Sequence, residues 1–396
     1  MMGLKWGAPK ARTGVLAMLL VALCATLAVA GCGSSSDSSS STAEATGGSG
    51  ESGGGSSVDA KLEAAQEGPT KWEGPTAAVK PPKSFNLALI TCDNASEGCA
   101  APAKGAEEAA KQLGWKVTTY DGESDPTVQA KRVAQAITNN ADGIITESVD
   151  GRGIGSALAE AKAAGIPVIS TSNAAAPGEQ GYKVDISPDF EQLGKDIADW
   201  VISDSGESAV LDTYVDREYQ STISTSEGIL AEMKECDGCT ANAPINFVAA
   251  DLANKLGPET VSELRSNPDV NYVHFAYDPA ATFQVPAILQ AGLGEKVKGS
   301  SIIGDEQNLE FIADGQVQAA DAVWDNRYQG YASVDQLIRL ANGEAPAVTA
   351  GVPERFKYNE ALPSVLLTKD NLPPEGKLYE APFDYTAEYE KLWGLG

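Results

Sequence analysis

Side chains able to accept hydrogen bonds or stack on a ligand recur in this 396-residue sequence as short groups that directly follow apolar runs. In chain order they are Cys92, Asp93, Asn94 and Ser96; Glu147, Ser148 and Asp150; Ser172 and Asn173; Tyr214, Asp216 and Tyr219; Tyr277 and Asp278; Asp305, Glu306 and Gln307; and Trp324, Asp325 and Asn326. Carboxylates and amides are planar acceptors for hydroxyl groups, and aromatic rings lie against C–H faces. The mixture suits a neutral polyhydroxylated or partly cationic small molecule. A phosphate or nucleotide would want Lys, Arg or exposed helix N-termini instead.

Catalytic and metal chemistry find little to work with. Asp305 and Glu306 could serve as acid and base in a hydrolase, yet no nucleophile motif accompanies them, so hydrogen-bond acceptance is the better role. His274 is the one histidine and sits inside the apolar run YVHF, where a hydrogen-bonded core residue is the simplest reading. Any His-rich metal site or His-based triad would have to use it. Gly151, Gly153 and Gly155 make a G-x-G-x-G turn after the third apolar run, not the G-x-G-x-x-G of a dinucleotide loop after the first. With 29 Lys+Arg against 55 Asp+Glu, the formal charge of −26 argues against nucleic acid or an anionic membrane surface as a partner.

The elements that must position these groups alternate. Asn86–Thr91, Lys116–Tyr120, Gly143–Thr146 and Ile166–Ser170 read as strands. Between them, 101–113 reads as a helix. Ala130, Val133, Ala134 and Ile137, then Ile154, Ala157, Leu158 and Ala161, repeat at helical spacing. Further strands are expected near 182–186, 208–213, 244–248, 271–275, 299–303 and 317–323, with helices over 188–202, 220–235, 254–266, 280–292 and 328–342. Apolar strands separated by helices are covered on both faces, so the sheets should be parallel and doubly wound. About ten strands in roughly 300 residues favour two α/β lobes over one sheet; a TIM barrel is the rival. In open sheets of this kind ligands bind beyond the carboxyl ends of the strands, where the groups named above fall.

The N-terminus reads separately. Lys5, Lys10 and Arg12 precede an apolar run, Val15–Ala30, that is short of the roughly 20 residues of a membrane span and reads as a secretory signal. Val29-Ala30-Gly31-Cys32 resembles a bacterial lipobox, which makes 1–31 a lipoprotein signal peptide and Cys32 the lipidated residue. Gly33 to Ser57 is rich in Ser and Gly and should be a disordered tether, spanning roughly 25–30 Å. Residues up to 83 form a lead-in with no independent fold. The remaining cysteines fall as Cys92 with Cys99 and Cys236 with Cys239. In an oxidising compartment two local disulfides are the simple assignment, with a redox motif or half a zinc site as the competing reading of Cys236–Cys239.

The segments KGAEEAAKQLGWKV (104–117), ADGIITESVD (141–150), EAKAAGIPVISTS (160–172), VPAILQAGLG (285–294), SIIGDEQ (301–307) and DNRYQGYASVDQLIRLANGE (325–344) come in an order that resembles a type I periplasmic solute-binding protein of an ABC importer, of the ribose-binding-like, periplasmic-binding-protein 4 type. The resemblance implies two lobes joined by a three-crossing hinge, with lobe one at 84–173 and 326–351, lobe two at 174–325 and 352–380, and a C-terminal tail at 381–396. It implies a monomer that traps a small solute, a sugar or polyol by default, and delivers it to a membrane permease with a cytoplasmic ATPase. Membrane contact would be through the lipid anchor alone, on the outer face of the bacterial cytoplasmic membrane, and no cofactor, metal or nucleic acid is called for. The expected ligand set is Asp93, Asn94, Ser96, Asp150, Ser172, Asn173, Tyr214, Tyr219, Tyr277, Asp278, Asp305, Glu306, Trp324 and Asn326. Several positions depart from the sugar-binding pattern: Gly98 and Cys99 replace an aromatic pair, Ser172-Asn173 an Asp-Arg, Thr225 an Arg, and Trp324 a polar residue. These departures weaken the case for a simple pentose or hexose. A receptor of the same fold feeding a sensor or chemoreceptor, and a secreted α/β glycosidase, are the alternative functions.

Overall fold

A computed structural model describes residues 55–396; Cys32, the expected signal segment and most of the expected tether lie outside the described residues. The first sheet is built from β1 (Asn86–Thr91), β2 (Lys116–Asp121), β3 (Gly143–Glu147), β4 (Val168–Thr171) and β5 (Asp185–Ile186). All run parallel, in the order β2-β1-β3-β4-β5. Helices α2 (Glu97–Gln112), α3 (Pro126–Thr138) and α4 (Gly155–Ala163) connect them. The continuous apolar runs predict this arrangement, since β1 and β3 are buried along nearly their whole length. Helix starts follow local chemistry: Asp125 accepts a hydrogen bond from the Thr127 N–H, with Pro126 opening α3.

The second sheet holds β6 (Val210–Asp216), β7 (Thr240–Ala241), β8 (Ile245–Phe247), β9 (Tyr272–His274), β10 (Lys298–Ile303), β11 (Gln318–Trp324) and β12 (Ser364–Thr368). Its order is β12-β11-β10-β9-β6-β7, with β8 also paired to β6. Around it lie α5 (Phe190–Asp204), α6 (Gln220–Met233), α7 (Gly257–Ser266), α8 (Asp278–Gln290) and α9 (Glu306–Ala313). The sheets are parallel as expected except at one edge, where β12 runs antiparallel to β11. An edge strand reached by a long return connection is free to enter from either end.

Helix α10 (Asn326–Ala341) follows the second sheet in sequence but packs with α2 and β4 of the first. The close fit depends on glycine: a Cβ on Gly105 would stand 2.3 Å from the Arg327 carbonyl oxygen, and one on Gly330 2.3 Å from the Ala106 nitrogen. The chain therefore crosses between lobes after β5, between β11 and α10, and on the way to β12. The crossings are bonded side by side. Asn359 donates to the Ser187 carbonyl (2.9 Å), Gln329 to the Ile186 carbonyl (2.6 Å), and the Asp325 N–H to the Pro363 carbonyl (2.9 Å). The expected lobe boundary at 173/174 is corrected by β5, which pairs with β4 and so keeps 174–186 in lobe one. The expected boundary at 351/352 also moves, because Gln336 of α10 donates to the Tyr358 carbonyl (3.1 Å).

Both ends of the described chain form helices that pack on the lobes. α1 (Gly55–Glu67) lies against α5 and β12; its first residues fall in the expected disordered tether and the rest in the lead-in, for which the sequence predicts no independent fold. In the tail, α11 (Tyr385–Trp393) packs on α10. Among the described residues, no helix is long and apolar enough to cross a membrane, and no cluster of three or more His, Cys, Asp or Glu is arranged to hold a metal ion.

Candidate functional site

The first sheet has the order 2-1-3-4-5; in the second, β7 and β8 lie on one side of β6, with β9, β10, β11 and the edge strand β12 on the other, so the topological switch points lie between β1 and β3 and between β6 and β9. In the first lobe that point is where β1 and β3 end, at Cys92 and Ser148. In the second it is where β6 and β9 end, leading to Tyr219 and Tyr277. A cavity of about 150 Å³ opens where these points face each other. Cys92, Ser96, Gly98, Cys99, Ser124, Ser148 and Ser172 line it from lobe one; Tyr219, Ser221, Thr222, Ala249, Leu252, Tyr277, Pro279, Ile302 and Ile303 line it from lobe two, with Phe190 and Trp324 from the crossings. Lobe one thus offers mainly hydroxyls and lobe two mainly rings and aliphatic groups. No charged side chain is in the wall.

The rings are held from behind. Tyr277 donates its hydroxyl to Asp216 (2.8 Å) and meets Tyr219 edge-on at 6.1 Å between centroids. Trp324 donates its indole N–H to Gln329 (3.0 Å) and packs edge-on against Phe190 at 5.6 Å. Gln329 in turn donates to Ser172 (2.9 Å), tying a cavity hydroxyl to the hinge. Burial pushes the Tyr219 phenol up to about 12, so it remains a protonated donor at any ordinary pH. Burial also raises Asp216 to about 6, the Glu218 N–H and the Tyr277 hydroxyl pulling the other way.

Several wall residues have left-handed backbone. Ser148 and Ser172 lie at φ 54°, and Ile303 at φ 120°. A β-branched residue at positive φ is strained, and such strain gathers where surrounding structure holds a functional surface in shape.

Of the residues expected at a ligand, Ser96, Ser172, Tyr219, Tyr277 and Trp324 line this cavity. The others are not in its wall. Asp93 accepts from Ser124 (2.9 Å) and from the Ala95 N–H (2.8 Å); Asn94 accepts from Thr91 (2.8 Å). Asp150 pairs with Arg152, and Asn173 donates to the Val149 carbonyl (2.9 Å). Tyr214 is core, 1% exposed. Asp278 accepts the N–H groups of Gly304 (2.8 Å) and Asp305 (2.7 Å), fixing the turn after β10. Asp305 is the residue before α9, Glu306 its first residue, and Asn326 is buried at the second crossing. Most of the expected acceptors are thus spent on turns and neighbouring backbone, and serine hydroxyls take their place at the wall. Ser221 and Thr222 stand two and three residues after Tyr219 and could have been found by extending that group; Phe190, opening a helix after a crossing, had no such signal.

Sequence reasoning also misses Glu97. It accepts the Glu306 N–H (2.9 Å) across the cleft, while a Cβ on the neighbouring Gly98 would stand 2.9 Å from Ile303 Cγ2. Both residues open α2, whose first turn is tied back to the end of β1 by the Cys92–Cys99 disulfide; Cys236 and Cys239 are likewise bonded. This bridge is the local disulfide expected from the sequence, and it leaves neither thiolate free for half a zinc site.

A family model described as periplasmic binding protein domain matches residues 87–345. Among curated proteins, the chain is similar to the ribose import binding protein RbsB of Bacillus subtilis (strain 168), 27% identical over 118 residues. That match spans 30% of this chain and only 38% of the relative. Among solved structures, an ABC transporter solute binding protein from Agrobacterium vitis bound with α-D-tagatopyranose has a TM-score of 0.64 at 19% identity, covering 73% of this chain and 96% of that one. One from Mycobacterium smegmatis with bound glycerol has a TM-score of 0.63 at 20% identity, covering 75% and 100%. Another from Agrobacterium vitis, with bound D-fucose, has a TM-score of 0.61 at 23% identity, covering 74% and 100%. With two α/β lobes, a hinge of adjacent crossings, a cavity at the paired switch points and a family match over most of its length, the chain belongs to the periplasmic binding proteins, in the type I fold, a family of solute-binding proteins and not of enzymes.

Proposed function

We propose that this protein is an extracytoplasmic solute receptor of an ABC import system, which holds a small uncharged polyhydroxylated solute between its lobes and hands it to a membrane permease. The observation that carries the reading is the wall of the cavity. Hydroxyls of Ser96, Ser124, Ser148 and Ser172 face the rings of Phe190, Tyr219, Tyr277 and Trp324, without a charge among them. An ionic solute would bring a charge into this site with no partner, at a cost of several kcal/mol. A sugar or polyol matches hydroxyl to hydroxyl and lays its C–H face on the rings. Ligands bound in similar solved structures, glycerol and D-fucose among them, belong to the same class. Closure around such a solute would be a population shift set by contacts made on both lobes.

The remaining features of the reading come from the sequence. Residues 1–31 would direct export, Cys32 would carry the lipid that holds the protein at the outer face of the cytoplasmic membrane, and the receptor would act as a monomer. A thermal-shift screen of the purified protein against neutral sugars, deoxysugars, polyols, amino acids and aromatic acids tests the substrate class. A true ligand at 100 times its Kd adds about 2.7 kcal/mol. A response confined to amino acids or organic acids would refute it.

A further inference from the structure

We propose that residues 68–83 form a fourth connection between the lobes, and that with the C-terminal helix α11 they limit how far the hinge turns. The segment starts from lobe two. There α1 is fixed by Lys61 to Glu232, by Asp59, which accepts from Ser203 (2.9 Å), and by the Gln66 carbonyl, which accepts from Asn371 (3.1 Å). It ends on lobe one. The Ala77 carbonyl accepts from Arg339 (2.9 Å), that of Lys80 from Asn342 (3.0 Å), and that of Pro82 from the Trp115 indole (2.9 Å). The chain thus passes from one lobe to the other before β1 begins, separately from the three crossings of the hinge.

Midway, the segment is packed onto the hinge itself. Trp72 lies against Tyr328 (5.7 Å between centroids) and edge-on to Tyr389 of α11 (5.1 Å). Tyr328 stands two residues after Asn326 opens α10, and its hydroxyl donates to the Glu360 carbonyl (2.7 Å) on the third crossing. Tyr389 donates to the Glu360 carboxyl (2.6 Å), and the Ala381 N–H donates to Asp325 (2.8 Å) on the second. The Val79 N–H donates to the Leu392 carbonyl (2.9 Å), joining the lead-in segment to the C-terminal helix. Turning the hinge moves Tyr328 relative to lobe two. It must therefore shear the Trp72–Tyr328–Tyr389 contacts or lift α1 from α5.

This inference rests on the receptor reading only in taking lobe opening as the functional motion, and its test needs no solute. A protease site inserted between the exposed residues Thr70 and Lys71 allows the connection to be cut in the folded full-length protein. Hydrogen exchange is then compared before and after cutting. The reporter is the Glu306 N–H, which is bonded to Glu97 across the cleft and released when the lobes part. Cutting should speed exchange at residues 304–308 at least ~five-fold, about 1 kcal/mol of opening free energy, while leaving β1 and the middle of β10 unchanged. Trp72→Ala in the uncut chain should act in the same direction. Unchanged exchange at 304–308 in both would overturn the proposal, as would acceleration spread equally through β1 and β10, which marks general destabilisation. Failure of the ligand screen alone would leave this result standing.

Discussion

At the scale of single residues, Tyr219 and Tyr277 share the cavity wall but have different duties. The Tyr277 hydroxyl is committed to Asp216, a buried carboxyl whose other bonded donor is the Glu218 N–H (3.0 Å). Tyr277→Phe removes one donor from a buried acceptor and should cost about 1–3 kcal/mol of stability. Solute affinity should change little, since the ring face remains. Tyr219 is half-buried and its ring meets the cavity; among the described residues its hydroxyl has no hydrogen bond to the scaffold. Tyr219→Ala should weaken solute binding about ten-fold, or ~1.4 kcal/mol, with a much smaller effect on Tm. Calorimetric titration beside thermal melts separates the two. If Tyr277→Phe instead abolishes binding at unchanged Tm, the hydroxyl faces the solute and the division of duties is wrong.

At the scale of elements, the disulfide-tied start of α2 and the start of α9 meet across the cleft. Glu97 places a carboxylate at the first N–H of α9, where the helix dipole favours negative charge. Glu97→Ala should raise the solute dissociation rate roughly three- to ten-fold, about 0.6–1.4 kcal/mol, and widen the solute-free molecule in small-angle scattering. An unaltered dissociation rate in stopped-flow measurements would remove Glu97 from the closing contact. Elements of this size are unevenly legible in the sequence. β1, β3, β10 and α10 announce themselves through continuous apolar runs or helical spacing, because burial on both faces or along one stripe leaves that mark. Short α9 and the antiparallel edge strand β12 leave little periodicity, and α1 begins in a stretch whose composition alone suggests disorder.

At the scale of the whole molecule, stability should fall as pH rises through the acid-to-neutral range. Burial raises Glu147 to about 7 and Asp216 and Asp325 to about 6. Their unfolded values lie near ~4. Between those limits the native state binds more protons than the unfolded chain, so stability declines as pH climbs. His274, lowered to about 3 by burial, acts in the opposite sense up to its ordinary value of 6.5, but is one group against three. The net charge of −26 at neutral pH adds self-repulsion in the same direction as the carboxyls. Thermal melts should show a Tm several degrees higher at pH ~5 than at pH ~8; a Tm that rises steadily across that interval would contradict the assignment of neutral buried acids.

The alternation of apolar runs with helical faces determined by itself an α/β fold with ligand-bearing loops at the strand ends, because chain connectivity and face burial leave few other arrangements, and only the tertiary structure decided for two lobes over a closed barrel. It also named Ser96, Ser172, Tyr219, Tyr277 and Trp324 by their place after strands. Which neighbouring polar group turns inward was decided only in three dimensions. Asp93 and Asp278 occupy the same kind of sequence position, yet each is drawn to nearby N–H or hydroxyl groups of a turn, and serines are left to face the cavity. The crossing point after β5, the Glu97 contact and the union of the lead-in segment with α11 at the hinge likewise join residues far apart in sequence, and no local pattern encodes such distances.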